Sequence, residues 1–205
     1  MAEAVSQQQR ARAFLAGHGI ARLADLRIAG VTAATISRME RRGEVVRLAR
    51  GLYQLPDAPL DAGHSLAEAA RRLPKGVVCL VSALAFHGLT DQLPSRVWLA
   101  IGGKDWAPKG DDVPIRIVRF SGGLLTEGVE THLVEHVPVK IFGVAKTVAD
   151  CFRHRSKVGL SVAVEGLREA LRQRKATPAE LALQAERGGV ATVLRPYLDA
   201  LTAGG

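Results

Sequence analysis

At 205 residues, with 47% of them apolar, the chain exceeds one average domain and falls short of two large ones, so a small module joined to a larger one is expected. Charged residues at 23% are ordinary for a folded protein and aromatic residues are scarce at 4%, a balance that excludes extensive disorder away from the ends. No apolar run approaches the roughly 20 residues that span a bilayer, and the start MAEAVSQQQRARAF lacks the apolar stretch of a secretory signal, so no membrane contact and a cytoplasmic location are expected.

Cys79 and Cys151 both have apolar neighbours and are too few for a disulfide framework; reduced core thiols are the expectation. A net charge of +8 points to a polyanionic partner, and its distribution is more informative than its size. Residues 1–55 hold nine Lys and Arg against four acids, whereas the other 150 hold 19 against 16. The basic excess is concentrated at the front.

In chain order, SQQQRARAFLAGHG offers Ser6 as an N-cap, apolar Ala11, Phe14 and Leu15 at helical spacing, and glycines 17 and 19 as a stop. ARLADLRIAG predicts a second short helix through Leu23 and Leu26 ending at Gly30, with Ile28 fitting the spacing less well. Thr32 caps a third helix, AATISRMERRG, with Ile36 and Met39 inward and Gly43 at its end. Val45, Val46 and Leu48 read as a strand, Ala49-Arg50-Gly51 as a turn, and residues 52–55 as a returning strand. Three helices followed by a two-stranded hairpin is the order of a winged helix-turn-helix.

With Ile36 and Met39 inward, a 3.6-residue period turns Ser37, Arg38 and Arg41 outward and leaves Thr35 and Arg42 on the flank, a face suited to a major groove. Arg47 and Arg50 fall on the wing, where flanking phosphates or the minor groove are within reach. Only Glu40 and Glu44 accompany these five arginines.

LPDAPLDAG is rich in proline and reads as a linker, which gives a division into 1–56 (winged helix-turn-helix), 57–63 (linker) and 64–205 (mixed α+β domain with a helical C-terminal part). In the second domain HSLAEAARRLP predicts a helix stopped by Pro74, and GVVCLVSALAFHGLT an apolar segment helical in its second half. RVWLAIGG and VPIRIVRF have the length and pattern of strands, and VETHLVEHVPVKIFG of two more broken near Pro138. Helices complete the chain in AKTVADCFRHRS, LSVAVEGLREALRQRK, TPAELALQAERGG and VATVLRPYLDAL.

Three blocks resemble the AbiEi family of antitoxins from type IV toxin-antitoxin systems: SRMERRGEVVRLARGLYQLP, CLVSALAFHGLTDQLPSRVWLAI, and VPVKIFGVAKTVADCFRHRSKVGLSVAVEGLREAL. Together they extend the resemblance over nearly the whole chain. It implies an N-terminal winged helix that binds inverted repeats in its own promoter and represses an operon encoding a nucleotidyltransferase-like toxin. It also implies a C-terminal domain that supplies antitoxin action without a stable toxin complex. The implied DNA contacts are Thr35, Ser37, Arg38, Arg41, Arg42, Arg47 and Arg50. The implied partner is double-stranded DNA, on which two copies could load as a preformed dimer or one after the other. Antitoxin-domain candidates are the polar positions inside the blocks: Ser82, His87, Gln92, Arg96, Lys146, Asp150, Arg153 and Lys157. Lys146 and Asp150, four apart on a helix, are expected to form a surface pair.

Enzymatic chemistry finds little support, and no cofactor is expected. His132 and His136 on one strand would stand about 13 Å apart, too far for one metal ion, and Cys151 with His154 lacks a second ligand pair. FSGGLLTEG lacks the spacing of a phosphate-binding loop. A metal-dependent nuclease would draw on Asp111, Asp112, Glu127, Glu130 and Glu135, none followed two residues later by lysine. A protein-interaction module with a basic face explains the charge but not the helix-hairpin order.

Overall fold

A computed structural model describes residues 5–57, 63–107 and 114–203. Residues 58–62 of the expected linker, and Asp111 and Asp112, lie outside the described residues. The fold is α+β and its contacts divide into two compact units, residues 1–74 with 132–139, and 75–131 with 140–205.

The first unit opens on α1 (Gln7–His18), started by a reciprocal capping box in which Ser6 Oγ accepts from Gln9 N at 3.1 Å and Gln9 Oε1 accepts from Ser6 N at 2.8 Å. Next come β1 (Ala21–Arg22), α2 (Leu23–Ile28), α3 (Ala33–Arg41), β2 (Val46–Ala49) and β3 (Leu52–Gln54). Ile28, the residue off the helical spacing, is exposed, while Leu26 is fully buried. Ala11, Leu15, Ala21, Leu26, Val31, Ile36, Met39, Val45 and Tyr53 form one apolar core. The sheet has three strands in the order β1-β3-β2, all antiparallel, rather than the two expected. β1 is only two residues long, too short for any hydrophobic period to reveal.

α4 (His64–Arg72) belongs to this unit by its contacts, although the sequence division put it with the second domain. Arg22 donates to the backbone carbonyls of Arg71 and Arg72, Arg72 donates to the carbonyl of Leu48 at 3.2 Å, and Arg71 pairs with Asp25 at 3.3 Å. These ties join residues 24 to 50 apart in sequence, separations at which local pattern carries no information. Gly19, which closes α1 with φ 63°, has its Cα against the carbonyl of Glu135, where an added Cβ would lie 2.5 Å from the oxygen. Gly19→Ala therefore destabilises the fold by about 2 kcal/mol or more, from strain of about 1–3 kcal/mol in that backbone region plus the collision. Urea unfolding checks this, and a cost below about 0.5 kcal/mol would contradict the close approach.

A mixed five-stranded sheet comprises β4 (Val77–Val78), β5 (Val97–Gly102), β6 (Ile115–Phe120), β7 (Val129–Val134) and β8 (Val137–Phe142), in the order β6-β5-β4-β8-β7. β4 runs antiparallel to β5 and parallel to β8, and β5 runs parallel to β6. The break between β7 and β8 falls at Glu135 and His136, not at Pro138. Both residues take left-handed φ values of 46° and 61°, the pairing that a tight two-residue hairpin requires, and Pro138 lies exposed within β8.

Helices supply the rest: α5 (Leu80–Phe86), α6 (Val144–Arg153), α7 (Arg155–Val158), α8 (Leu160–Arg172), α9 (Pro178–Arg187) and α10 (Ala191–Thr202). α9 starts as its Thr-Pro sequence predicts, with Thr177 in a capping box with Glu180 and Pro178 in the first turn. Leu80, Leu84, Leu89, Trp98, Phe120, Phe142, Phe152 and Leu167 are among the largest side chains of this unit's core. No described helix is long and apolar enough to cross a membrane.

Candidate nucleic-acid interface

α3 begins where Thr32 Oγ1 accepts from Thr35 N at 3.3 Å, and it ends in Gly43, whose φ of 69° lets Glu44 N close on the carbonyl of Met39 at 2.9 Å. Ile36 and Met39 are fully buried, so the helix is anchored by one face. Ser37, Arg38 and Arg41 on the opposite face are exposed. Arg38 Nη2 donates to Thr35 Oγ1 at 3.3 Å, and Arg41 Nε donates to the carbonyl of Ser37 at 3.3 Å.

Arg47 on β2 and Arg50 in the turn are also exposed, and Arg47 Nε donates to the carbonyl of Ala49 at 3.2 Å. Between Arg47 and Ala49 the ladder slips: Arg47 faces Tyr53 and Ala49 faces Leu52. This bulge increases the local twist of the hairpin next to the turn. Among the described residues Arg38, Arg41, Arg47 and Arg50 form no ion pair, so four guanidinium groups keep their charge available. Arg42 differs, because Glu44 lies 3.9 Å from it and also pairs with Arg12 at 3.7 Å.

Thr35 does not reach the exposed face. It is 3% exposed, and its hydroxyl donates to Gln7 Oε1 at 2.8 Å. Gln7 also accepts from the backbone N and the hydroxyl of Thr32, each at 3.0 Å. Sequence reasoning missed Gln7, since a glutamine in the first turn of another helix carries no local sign of such a role.

The antitoxin-domain candidates take separate places. Ser82 is buried and accepts from Trp98 N at 3.0 Å, His87 Nε2 lies 2.8 Å from the carbonyl of Phe142, and Arg153 donates to the carbonyl of Gly188 at 2.8 Å. Gln92, Arg96 and Lys157 are exposed. Lys146 and Asp150 do meet, but the surface pair expected of them is buried, at 3% and 1% exposure, because α6 is packed on all sides by the second unit's core. The ammonium of Lys146 also stands over the rings of Phe142 and Phe120, at 4.6 and 5.1 Å from their centres.

Burial pushes the Asp150 carboxyl up to about 6 despite the opposing charge and hydrogen bond of Lys146. Cys79 and Cys151 are fully buried free thiols whose pKa values rise, chiefly by burial and then by the nearby Asp150 charge, so both stay protonated. His154 is lowered to about 4 by burial first and then by Lys157, Arg153 and Lys146, which keeps its imidazole neutral at pH 7. Glu135, one of the acids available to a nuclease, instead pairs with His64 at 2.8 Å. Among the described residues, no group of three or more His, Cys, Asp or Glu could hold a metal ion.

The segment from α1 through β3, which carries Arg38, Arg41, Arg47 and Arg50, has a recognisable counterpart. Residues 9–56 match the family of transcriptional regulators described as AbiEi antitoxins. The AbiEi match thus takes in Ser37, Arg38, Arg41, Arg42, Arg47 and Arg50 and leaves Gln7 just outside it. No curated protein matches the chain. Among solved structures, the crystal structure of the RV2827C protein from Mycobacterium tuberculosis is similar in fold, with a TM-score of 0.58 over 96% of this chain and 80% of that one at 15% identity. The AbiEi match covers residues 9–56, and the likeness in fold covers 96% of the chain.

Proposed function

We propose that the chain is a DNA-binding autorepressor and antitoxin of a type IV toxin-antitoxin system. Residues 1–56 act as a winged helix-turn-helix on inverted repeats in the promoter, and residues 64–205, after the linker 57–63, counter a nucleotidyltransferase-like toxin without a stable complex. The observation that carries the DNA reading is the set of four exposed arginines without ion partners among the described residues, two on α3 and two on the hairpin that follows it. α3 offers side chains to base edges, and the hairpin offers cations to the flanking backbone. The AbiEi match over the same residues supports the regulator assignment, and the antitoxin half rests on that family relation alone. The protein works in the cytoplasm and needs no catalytic group for either role.

A gel-shift with the duplex immediately upstream of the gene, at near-physiological salt and with an unrelated duplex as competitor, tests the reading. A shift that survives the competitor is expected. With Arg41, Arg47 and Arg50 on phosphates, log affinity falls against log salt with a slope of about −2.7 per bound chain, and fewer contacts give a shallower line. Complete loss to the unrelated duplex would turn the basic face into a site for another acidic partner.

A further inference from the structure

The buried Thr35 and the missed Gln7 form a connected path that ends on an exposed arginine. Gln7 Oε1 accepts the Thr35 hydroxyl at 2.8 Å, and Thr35 Oγ1 in turn accepts Arg38 Nη2 at 3.3 Å. A threonine hydroxyl has one hydrogen and two lone pairs. With that hydrogen committed to Gln7, the oxygen facing Arg38 is an acceptor, which matches the donor-only guanidinium. Because Thr35 is 3% exposed, water does not replace either partner freely. Thr32 completes the support: its N and hydroxyl both donate to Gln7, and its own Oγ1 caps α3 through Thr35 N.

We propose that Gln7 and Thr35 are positioning residues that hold the Arg38 guanidinium in a preset orientation on α3 for reading a base edge, making Arg38 the specificity-determining arginine of the interface. This rests on the operator binding proposed above. One of the five N–H donors of Arg38 is spent on Thr35 and the exposed side chain keeps four more, enough for a bidentate contact with the O6 and N7 acceptors of guanine. Arg41, Arg47 and Arg50 have no side-chain anchor among their hydrogen bonds in the described residues: Arg41 and Arg47 donate to carbonyls within four residues on their own elements, and Arg50 lies in the turn. They suit phosphates, which tolerate looser geometry. An arginine held before binding loses less freedom on the DNA, so its orientation converts into discrimination.

The experiment measures the affinity of the full chain for the upstream duplex and for a scrambled duplex of the same composition, across a salt series. Thr35→Val removes the hydroxyl at nearly constant shape, Thr35→Ser restores it, and Arg38→Ala removes the reader. Thr35→Val is expected to cut the upstream-to-scrambled ratio by about 5-fold while leaving the salt slope unchanged, since no phosphate contact is lost. Thr35→Ser recovers the ratio, and Thr35→Val adds nothing in an Arg38→Ala background. Thermal unfolding of each variant accompanies the measurement. If Thr35→Val does not fold, the pair Gln7→Leu and Gln7→Glu asks the same question from the other end: the first loses discrimination and the second, which keeps an acceptor oxygen, retains it. A ratio unchanged in Thr35→Val or Gln7→Leu while Arg38→Ala loses it overturns the positioning role and leaves operator binding standing. Absence of any upstream preference in the wild type removes the operator reading itself.

Discussion

Replacing Arg38 and Arg41 together by alanine lowers affinity for the upstream duplex by at least about 30-fold and leaves the fold intact. A good contact from Arg38 to a base edge contributes about 1–3 kcal/mol and a charged hydrogen bond from Arg41 to a phosphate about 1.5–3 kcal/mol, so losing both costs about 2–6 kcal/mol of binding. Stability should change by no more than about 0.5 kcal/mol, because both side chains are exposed, form no ion pair among the described residues, and hydrogen-bond only within α3. Titration of labelled duplex together with thermal unfolding separates the two quantities. Unchanged affinity in a folded double variant would sink the assignment of α3 to the DNA. An equal loss on the upstream and scrambled duplexes would place Arg38, like Arg41, on a phosphate rather than on a base.

In the second unit, either Lys146→Ala or Asp150→Ala should cost about 3–5 kcal/mol, far more than the few tenths that an exposed pair four residues apart provides. The reason is burial. Each single change strands a charge inside a core formed around Phe120, Phe142 and Phe152, with no water to replace the missing partner. Replacing both, Lys146→Met with Asp150→Leu, should come within about 1 kcal/mol of the wild type or exceed it, since the desolvation of two ions disappears with their attraction. Urea unfolding of the three variants provides the test. A double variant that loses as much as either single one would mean that the pair contributes net stability beyond what apolar side chains of similar volume provide.

The same pair predicts an unusual dependence on pH. The Asp150 carboxyl is raised in the fold from 3.8 to about 6, so between these values the folded chain binds more protons than the unfolded one. Its stabilising contribution is therefore complete below about pH 4, is lost as pH rises to about 6, and is flat above that, a change on the order of 3 kcal/mol. Other carboxylates with lowered pKa values tilt the whole curve the opposite way, so the measured quantity is the stability of the wild type minus that of Asp150→Asn. That difference should fall from pH 4 to pH 6 and then level. Parallel curves across the window would contradict the raised carboxyl.

Much of the architecture was determined by short-range signals. Ser6, Thr32 and Thr177 cap helices because a hydroxyl or its neighbours can satisfy free backbone N–H groups within three residues, and that chemistry is complete in the local sequence. The inward faces of α1, α2 and α3 follow from helical period, down to the exposure of the ill-fitting Ile28 in α2. The outward row Ser37, Arg38 and Arg41 follows from the same arithmetic, so most of the candidate interface was legible from the sequence.

What the tertiary structure decided concerns residues on the flanks and partners far along the chain. Thr35 sits where the period puts it neither in nor out, and only the packing of α1, bringing Gln7 to its hydroxyl, buries it. Lys146 and Asp150 have the spacing of a surface pair, yet α6 is covered on every side, so its polar stripe is enclosed with the rest. β1 exists because β3, some 30 residues later, offers it a ladder, and α4 joins the first unit through carbonyls that accept from Arg22. A periodic pattern states which face of an element is apolar. Which neighbours cover the remaining faces depends on contacts distant in sequence, and burial, charge pairing and the orientation of Arg38 follow from those contacts.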